Sequence, residues 1–281
     1  AIELLGEGFK GTEGPLGLPD GSLLFTETQA ERITRIAPDG GLSTYLSDSN
    51  GANGLALGEQ GELVAVQVKE PRVGVLGAQA SQAPVSGWQG KPFGRPNDLV
   101  RARDGTLYFT DSGRNANQPA PAQEPASPAV YRLRPGAPLE RLLDDIARPN
   151  GIQLSPDERT LYVANTAGAH VLAYAIGPDG RLGPRREFAR LAGYQEASGP
   201  QPAGSGADGL AVDAQGRLYV ASRAGIEVFD PQGQALGVIP LPKAPQNLAF
   251  AGTDKRQLYV VGRGAAYRIA TLAQGLGTRA K

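Results

Sequence analysis

The sequence predicts an all-β chain folded as a six-bladed β-propeller, one domain over residues 1–281 with four antiparallel strands in each blade. Three observations carry this expectation. A strand-like run led by Leu occurs six times, turn residues stand in front of each copy, and a polar residue lies ten or eleven positions upstream of each. The leading residues Leu23, Leu63, Leu107, Leu161, Leu218 and Leu258 are 40, 44, 54, 57 and 40 residues apart. That is the period of a four-stranded propeller blade.

Each repeat presents its elements in the same order. The first strand carries the polar residue and an apolar continuation, as in Asn53-Gly54-Leu55-Ala56-Leu57. Turn pairs such as Asp20-Gly21, Asp104-Gly105 and Gln215-Gly216 follow, which is hairpin chemistry. The second strand is the Leu-led run, rich in aromatic and β-branched residues, as in Leu107-Tyr108-Phe109-Thr110-Asp111. Third strands are expected at 32–36, 130–133 and 226–229, and fourth strands at 42–46 and 236–239. The sixth repeat stops after its third strand, near Ile269. Residues 2–5 are therefore expected to join the last blade and close the ring, removing open sheet edges. No stretch reads as an amphipathic helix.

Composition limits the chemistry. The 281 residues include 28 basic and 28 acidic side chains, and this balance argues against a nucleic-acid partner. There is no Cys and one His, which excludes disulfides, thiolate chemistry and multi-histidine metal sites. Carboxylates, amides, hydroxyls and a metal ion remain. No apolar run approaches the roughly 18 residues of a membrane span, so no membrane partner is expected. The chain opens at Ala1 without a charged-then-apolar leader, as a trimmed or processed product would. A soluble protein of a bacterial cytoplasm or periplasm is expected, with its oligomeric state open.

In a propeller the first strands line the central channel and equivalent positions meet around the axis. Those positions hold Glu13, Asn53, Asn97, Asn150, Asp208 and Asn247, all carboxylates or carboxamides in otherwise apolar strands. Side-chain oxygens without His or Cys suit one hard divalent cation: Ca²⁺ first, then Mg²⁺ or Mn²⁺, with Zn²⁺ a further candidate. Asn-Gly and Asp-Gly are also turn dipeptides, the competing reading for this ring and an even one for Asn53 and Asn247. Glu27, Asp111, Asn165 and Ser222 end the second strands and should reach the same mouth. Two long interruptions, Ser112 to Pro128 and Ala192 to Gly206, should overhang it as a lid or pocket wall. Gly6–Gly11 matches GxGxxG without a surrounding βαβ unit, and His170 and Trp88 read as packing residues.

Glu13-Gly14-Pro15, Arg95-Pro96-Asn97-Asp98, Arg148-Pro149-Asn150-Gly151 and Ala207-Asp208-Gly209-Leu210 resemble the senescence marker protein/gluconolactonase/luciferin-regenerating enzyme family. The resemblance covers essentially the whole chain. It implies a six-bladed propeller with a divalent metal at the channel mouth, held by Glu13, Asn150 and Asp208. Asn97 would be a fourth ligand or would bind substrate, Arg95 would touch substrate, and Asp208 would be the general base. Asp98 is a further substrate contact and the fallback base, expected on the opposite side of its strand if that strand is regular. Relatives differ at Leu16-Gly17 and around Gln67–Arg72, both expected in the pocket wall. The implied activity is metal-dependent hydrolysis of a sugar lactone or similar small lactone. The rival readings are a phosphotriesterase-type hydrolase resembling diisopropyl fluorophosphatase, with Asp208 as nucleophile, and a non-enzymatic binding propeller.

Overall fold

The structure is a computed structural model and describes residues 1–77, 84–114 and 122–279. Twenty-five strands are present among the described residues, and there is no helix. They form six small antiparallel sheets arranged as a ring, plus a two-stranded ribbon at Gly87–Trp88 and Lys91–Pro92. This is a six-bladed β-propeller. Among the described residues no helix is long and apolar enough to cross a membrane.

The first blade shows the plan: Thr12–Gly17, Leu23–Glu27, Arg32–Ile36 and Leu42–Ser47, each paired to the next. Its first strand is buried throughout, while its outermost strand is almost wholly exposed. Apolar residues therefore concentrate near the axis and between blades. One cluster joins Leu210, Val212, Leu218 and Val220 of the fifth blade to Tyr162, Ala164 and Val171 of the fourth. The third, fourth and fifth blades repeat the order from Pro96–Arg101, Pro149–Leu154 and Leu210–Val212. In the sixth, Asn247–Ala251, Gln257–Gly262 and Ala265–Ala270 are joined by Ile2–Glu7 from the N-terminus. The pairing of Ile2 with Ile269 and Glu7 with Ala265 is antiparallel and offset by a bulge.

In the second blade the described residues form three strands, Ala52–Leu57, Leu63–Gln67 and Arg72–Val75, and a single bridge between Val73 and Val85. Pro84 packs over Gly74 beside that bridge and has no N–H to extend the ladder. Residues 78–83, which precede it, lie outside the described residues.

Four first strands share an irregularity near the axis. The register slips between Glu13 and Leu16, Ala52 and Leu55, Pro96 and Leu99, and Pro149 and Ile152. Such bulges re-aim side chains where strands converge. Gly14, with φ of 49°, shows why most repeats carry glycine there: a Cβ would strike the Asn53 carbonyl of the neighbouring blade.

Candidate functional site

The bulged strand starts form a closed circuit of contacts around the axis. Thr26 Oγ1 donates to the Asn53 carbonyl at 3.0 Å, and Thr110 Oγ1 donates to that of Asn150 at 2.6 Å. Gly151 N donates to the Asp208 carbonyl at 3.1 Å, and Gly209 N to that of Gln246 at 2.8 Å. Asn247 Nδ2 returns to Glu13 Oε2 at 3.3 Å. Asp98 Oδ1 lies against the Gly54 backbone. Backbone contacts of this kind fix where each side chain enters the channel. The sequence-predicted ring is thus brought to one end of the channel.

Its members play different parts. Asn97, Asn150 and Glu13 are each less than 9% exposed, and Asn53 is 1% exposed. Asn150 Nδ2 donates to Thr166 Oγ1 at 3.1 Å, which turns its Oδ1 the other way. Asn97 Oδ1, Asn150 Oδ1 and Asp208 Oδ1 are shielded from solvent and have no hydrogen-bond partner among the described residues. Both carboxamide atoms of Asn53 share that condition. Buried polar atoms are nearly always paired, so four such residues around one axis demand an explanation. Asn247 is different. Its Oδ1 accepts from Leu248 N and its Nδ2 braces Glu13, so its amide is already committed.

Electrostatics point the same way. Burial, with the Glu13 and Asp98 carboxylates nearby, pushes the Asp208 carboxyl well above the usual carboxylate range. Arg95 and Arg263 pull it down, but less strongly. A hard divalent cation would suit these oxygens: it would pair the unpartnered Oδ1 atoms and relieve the repulsion between carboxylates. Among the described residues no three His, Cys, Asp or Glu side chains are placed to hold an ion by themselves. Carboxamide oxygens would have to complete the shell, as a set of Glu13, Asp208, Asn150 and Asn97 would do.

The strand is not regular at Asp98: its register slips between Pro96 and Leu99, and Asn97 and Asp98 are both buried. Asp98 Oδ1 accepts from Leu99 N at 2.9 Å, and its charge reaches Asp208. The glycines at the matching position of the other three bulged strands, Gly14, Gly54 and Gly151, are the sequence signal for this bulge.

The second-strand ends do reach the same mouth, but they hold loops. Asp111, fully buried, accepts from Gly94 N at 2.8 Å, Arg95 N at 2.7 Å and Gly113 N at 2.9 Å. Glu27 accepts from Lys10 N, Asn165 from Arg148 N, and Ser222 donates to Glu227. Arg95 is half-buried and its backbone is thereby set by Asp111. Gln246 was not foreseen: its Oε1 accepts from Arg263 N at 2.8 Å while its Nε2 donates to Glu13 Oε1 at 3.3 Å. Only its place beside Asn247 hinted at this.

Of the two long interruptions, Ala192 to Gly206 is a small ribbon, with Gln195 paired to Gly204 and Ser198 to Gln201. In Ser112 to Pro128, residues 115–121 lie outside the described residues, so its lid role does too. Glu124 is exposed. Leu16 and Gly17 do not wall this mouth; they line a cavity further along the channel.

Known proteins share this architecture and sequence. A gluconolactonase from Zymomonas mobilis is 28% identical over 295 residues, covering 98% of this chain and 82% of its own length. The solved structure of a gluconolactonase from Xanthomonas campestris is 32% identical, with a TM-score of 0.83, covering 96% of this chain and 89% of that one. A calcium-binding protein, regucalcin, from Agrobacterium tumefaciens shares the fold at 19% identity and a TM-score of 0.77, covering 98% and 95% of the two chains. The family model described as the SMP-30/Gluconolactonase/LRE-like region matches residues 11–263, from just before Glu13 to just after the second strand of the sixth blade, and the chain belongs to that family.

Proposed function

We propose that the protein is a lactone hydrolase of the gluconolactonase type, opening a sugar lactone or similar small lactone with one divalent cation, Ca²⁺ first. Glu13, Asp208, Asn150 and Asn97 would hold the ion. When bound, it would supply Lewis-acid polarisation of the ester carbonyl and lower the pKa of water beside it. The observation that carries this reading is the set of buried, unpartnered Oδ1 atoms on Asn97, Asn150 and Asp208. The similarity to two gluconolactonases supports the substrate class.

The chain's own residues then have these tasks. With His170 far from the ring, on the third strand of the fourth blade, a carboxylate must accept the proton of the attacking water. Asp208 is the base: its Oδ1 is shielded and unpartnered among the described residues, and a cation held beside it would offset the desolvation and carboxylate repulsion that raise its pKa. Arg95, held by Asp111, orients the substrate oxygens, and Asn97 and Asp98 line the same interior. Water adds to the carbonyl carbon, the ring C–O bond breaks, and the proton taken from water returns to the departing ring oxygen. The product is a hydroxy acid.

Hydrolysis of gluconolactone and related lactones, followed by base uptake at constant pH, tests the proposal. Turnover should fall to the uncatalysed rate after chelation and return on adding Ca²⁺. Activity indifferent to chelator would overturn the metal-dependent mechanism, and no activity on any lactone would overturn the substrate class.

A further inference from the structure

The channel has another end. Four residue steps from Glu13, about 13 Å at roughly 3.3 Å per residue, Gly17 borders a cavity of about 300 Å³. The turns after the first strands of the second and third blades wall it, and so does the hairpin turn of the sixth blade. The described part of the C-terminal tail forms part of its wall. Gly275 N donates to the Lys255 carbonyl at 2.8 Å, and Arg279 Nη2 donates to the carbonyls of Leu154 and Ser155 at 2.8 and 3.2 Å.

Four cationic residues border this space, Arg101, Arg103, Lys255 and Arg279, and none of the described residues lining it is a carboxylate. Glu158, just outside, already serves Arg103, with its Oε1 3.3 Å from Nε. The Arg279 side chain is only 5% exposed. Its Nη1 is shielded from solvent without a hydrogen-bond partner, and the same Glu158 oxygen lies 4.0 Å away. Lys255 Nζ rests over Gly17, 3.0 Å from where a Cβ would stand, and no hydrogen bond or ion pair reaches it from the described residues. Burial pulls Lys255 below its ordinary value and Arg279 down to about 10. A guanidinium as buried as that of Arg279 is costly to leave with its nearest carboxylate 4.0 Å away, and its fork matches the oxygens of phosphate or carboxylate.

We propose that this cavity is a binding site for a small oxyanion, a phosphate or a carboxylate group, with Lys255 and Arg279 as its cationic ligands. The site lies at the opposite end of the channel from the oxygen ring and is independent of the hydrolase reading. A tail strapped by Arg279 would be tightened by the same anion, so occupancy should stabilise this end.

The test uses the full chain, chelator-treated so that no cation at the ring collects the anion. Inorganic phosphate and, separately, sodium acetate are titrated at ionic strength held constant with sodium chloride, reading Tm, with ³¹P line width as a second signal for phosphate. A saturable rise in Tm is expected, with half-saturation weakened at least tenfold by Lys255→Asn and by Arg279→Gln. Asn tolerates the positive φ of 55° at position 255. If one variant fails to fold in chloride, the other decides. Response to phosphate alone assigns a phosphate group, and response to acetate alone assigns a carboxylate. Response to neither, or equal responses in wild type and variants, overturns the site.

Discussion

Asp208, half-buried, and Asp111, fully buried, are both carboxylates at the channel mouth, yet their surroundings assign them opposite tasks. Asp111 has its charge answered by three backbone N–H groups, so it is spent on holding the loop that carries Arg95. Asp208 keeps an oxygen that no described residue answers. Asp208→Asn retains size and one ligand oxygen but removes the proton acceptor. Turnover should fall on the order of 10²–10⁴ at saturating Ca²⁺, while a calcium titration still shows binding, weakened. Near-normal turnover in this variant, with loss in Asp98→Asn, would exchange their roles. Asp111→Asn points an amide donor at one of the N–H groups, and a buried unsatisfied donor costs about 1–3 kcal/mol. Its expected signature is a lower unfolding midpoint and a raised KM for lactone, with calcium affinity kept. Glu13, Asn97, Asn150 and Asp208 were legible in the sequence because each recurs at one place in a repeat. Gln246 was not, because its contact to Glu13 spans 233 residues and depends on the ring having closed.

A regular strand alternates faces, which would send Asp98 away from Asn97. Its strand is bulged at that point, and neighbouring backbones near the axis leave no room for a side chain at Gly14 or Gly54. Repeat spacing gave the second strands clearly because their apolar runs pack between blades. Phe109 is an example: it is fully buried, 5.6 Å from the Phe93 ring and 5.2 Å from that of Tyr131, and it pairs with Leu99 directly after the bulge. Phe109→Ala should cost about 3–5 kcal/mol, seen as a lower denaturant midpoint with an unchanged slope. A cost below about 1 kcal/mol would mean that the third blade is not packed as described. Outer strands were less legible. They are short and exposed, and in the second blade the described residues give a bridge at Val85, beside Pro84, where a fourth strand was expected.

Across the whole molecule the propeller turns a six-fold repeat into a single axis with two chemically different ends. One gathers oxygens from the starts of the first strands, and the other gathers cations from turns and the tail. Repeat arithmetic could find the first end, since its residues occupy equivalent positions. The second draws Lys255 and Arg279 from non-equivalent turns and a tail outside the repeats, so no periodicity marks it. The oxygen end is where function is proposed to reside, and its central claim concerns one bound ion. Calorimetric titration of the chelator-treated wild type and of Glu13→Gln with Ca²⁺, paired with Tm in the presence and absence of the ion, addresses it directly. Wild type should bind one Ca²⁺ and gain thermal stability by mass action. Glu13→Gln should bind at least tenfold more weakly and gain less at the same Ca²⁺ concentration. No binding by the wild type, or identical titrations for the two proteins, would contradict a metal centre built on Glu13.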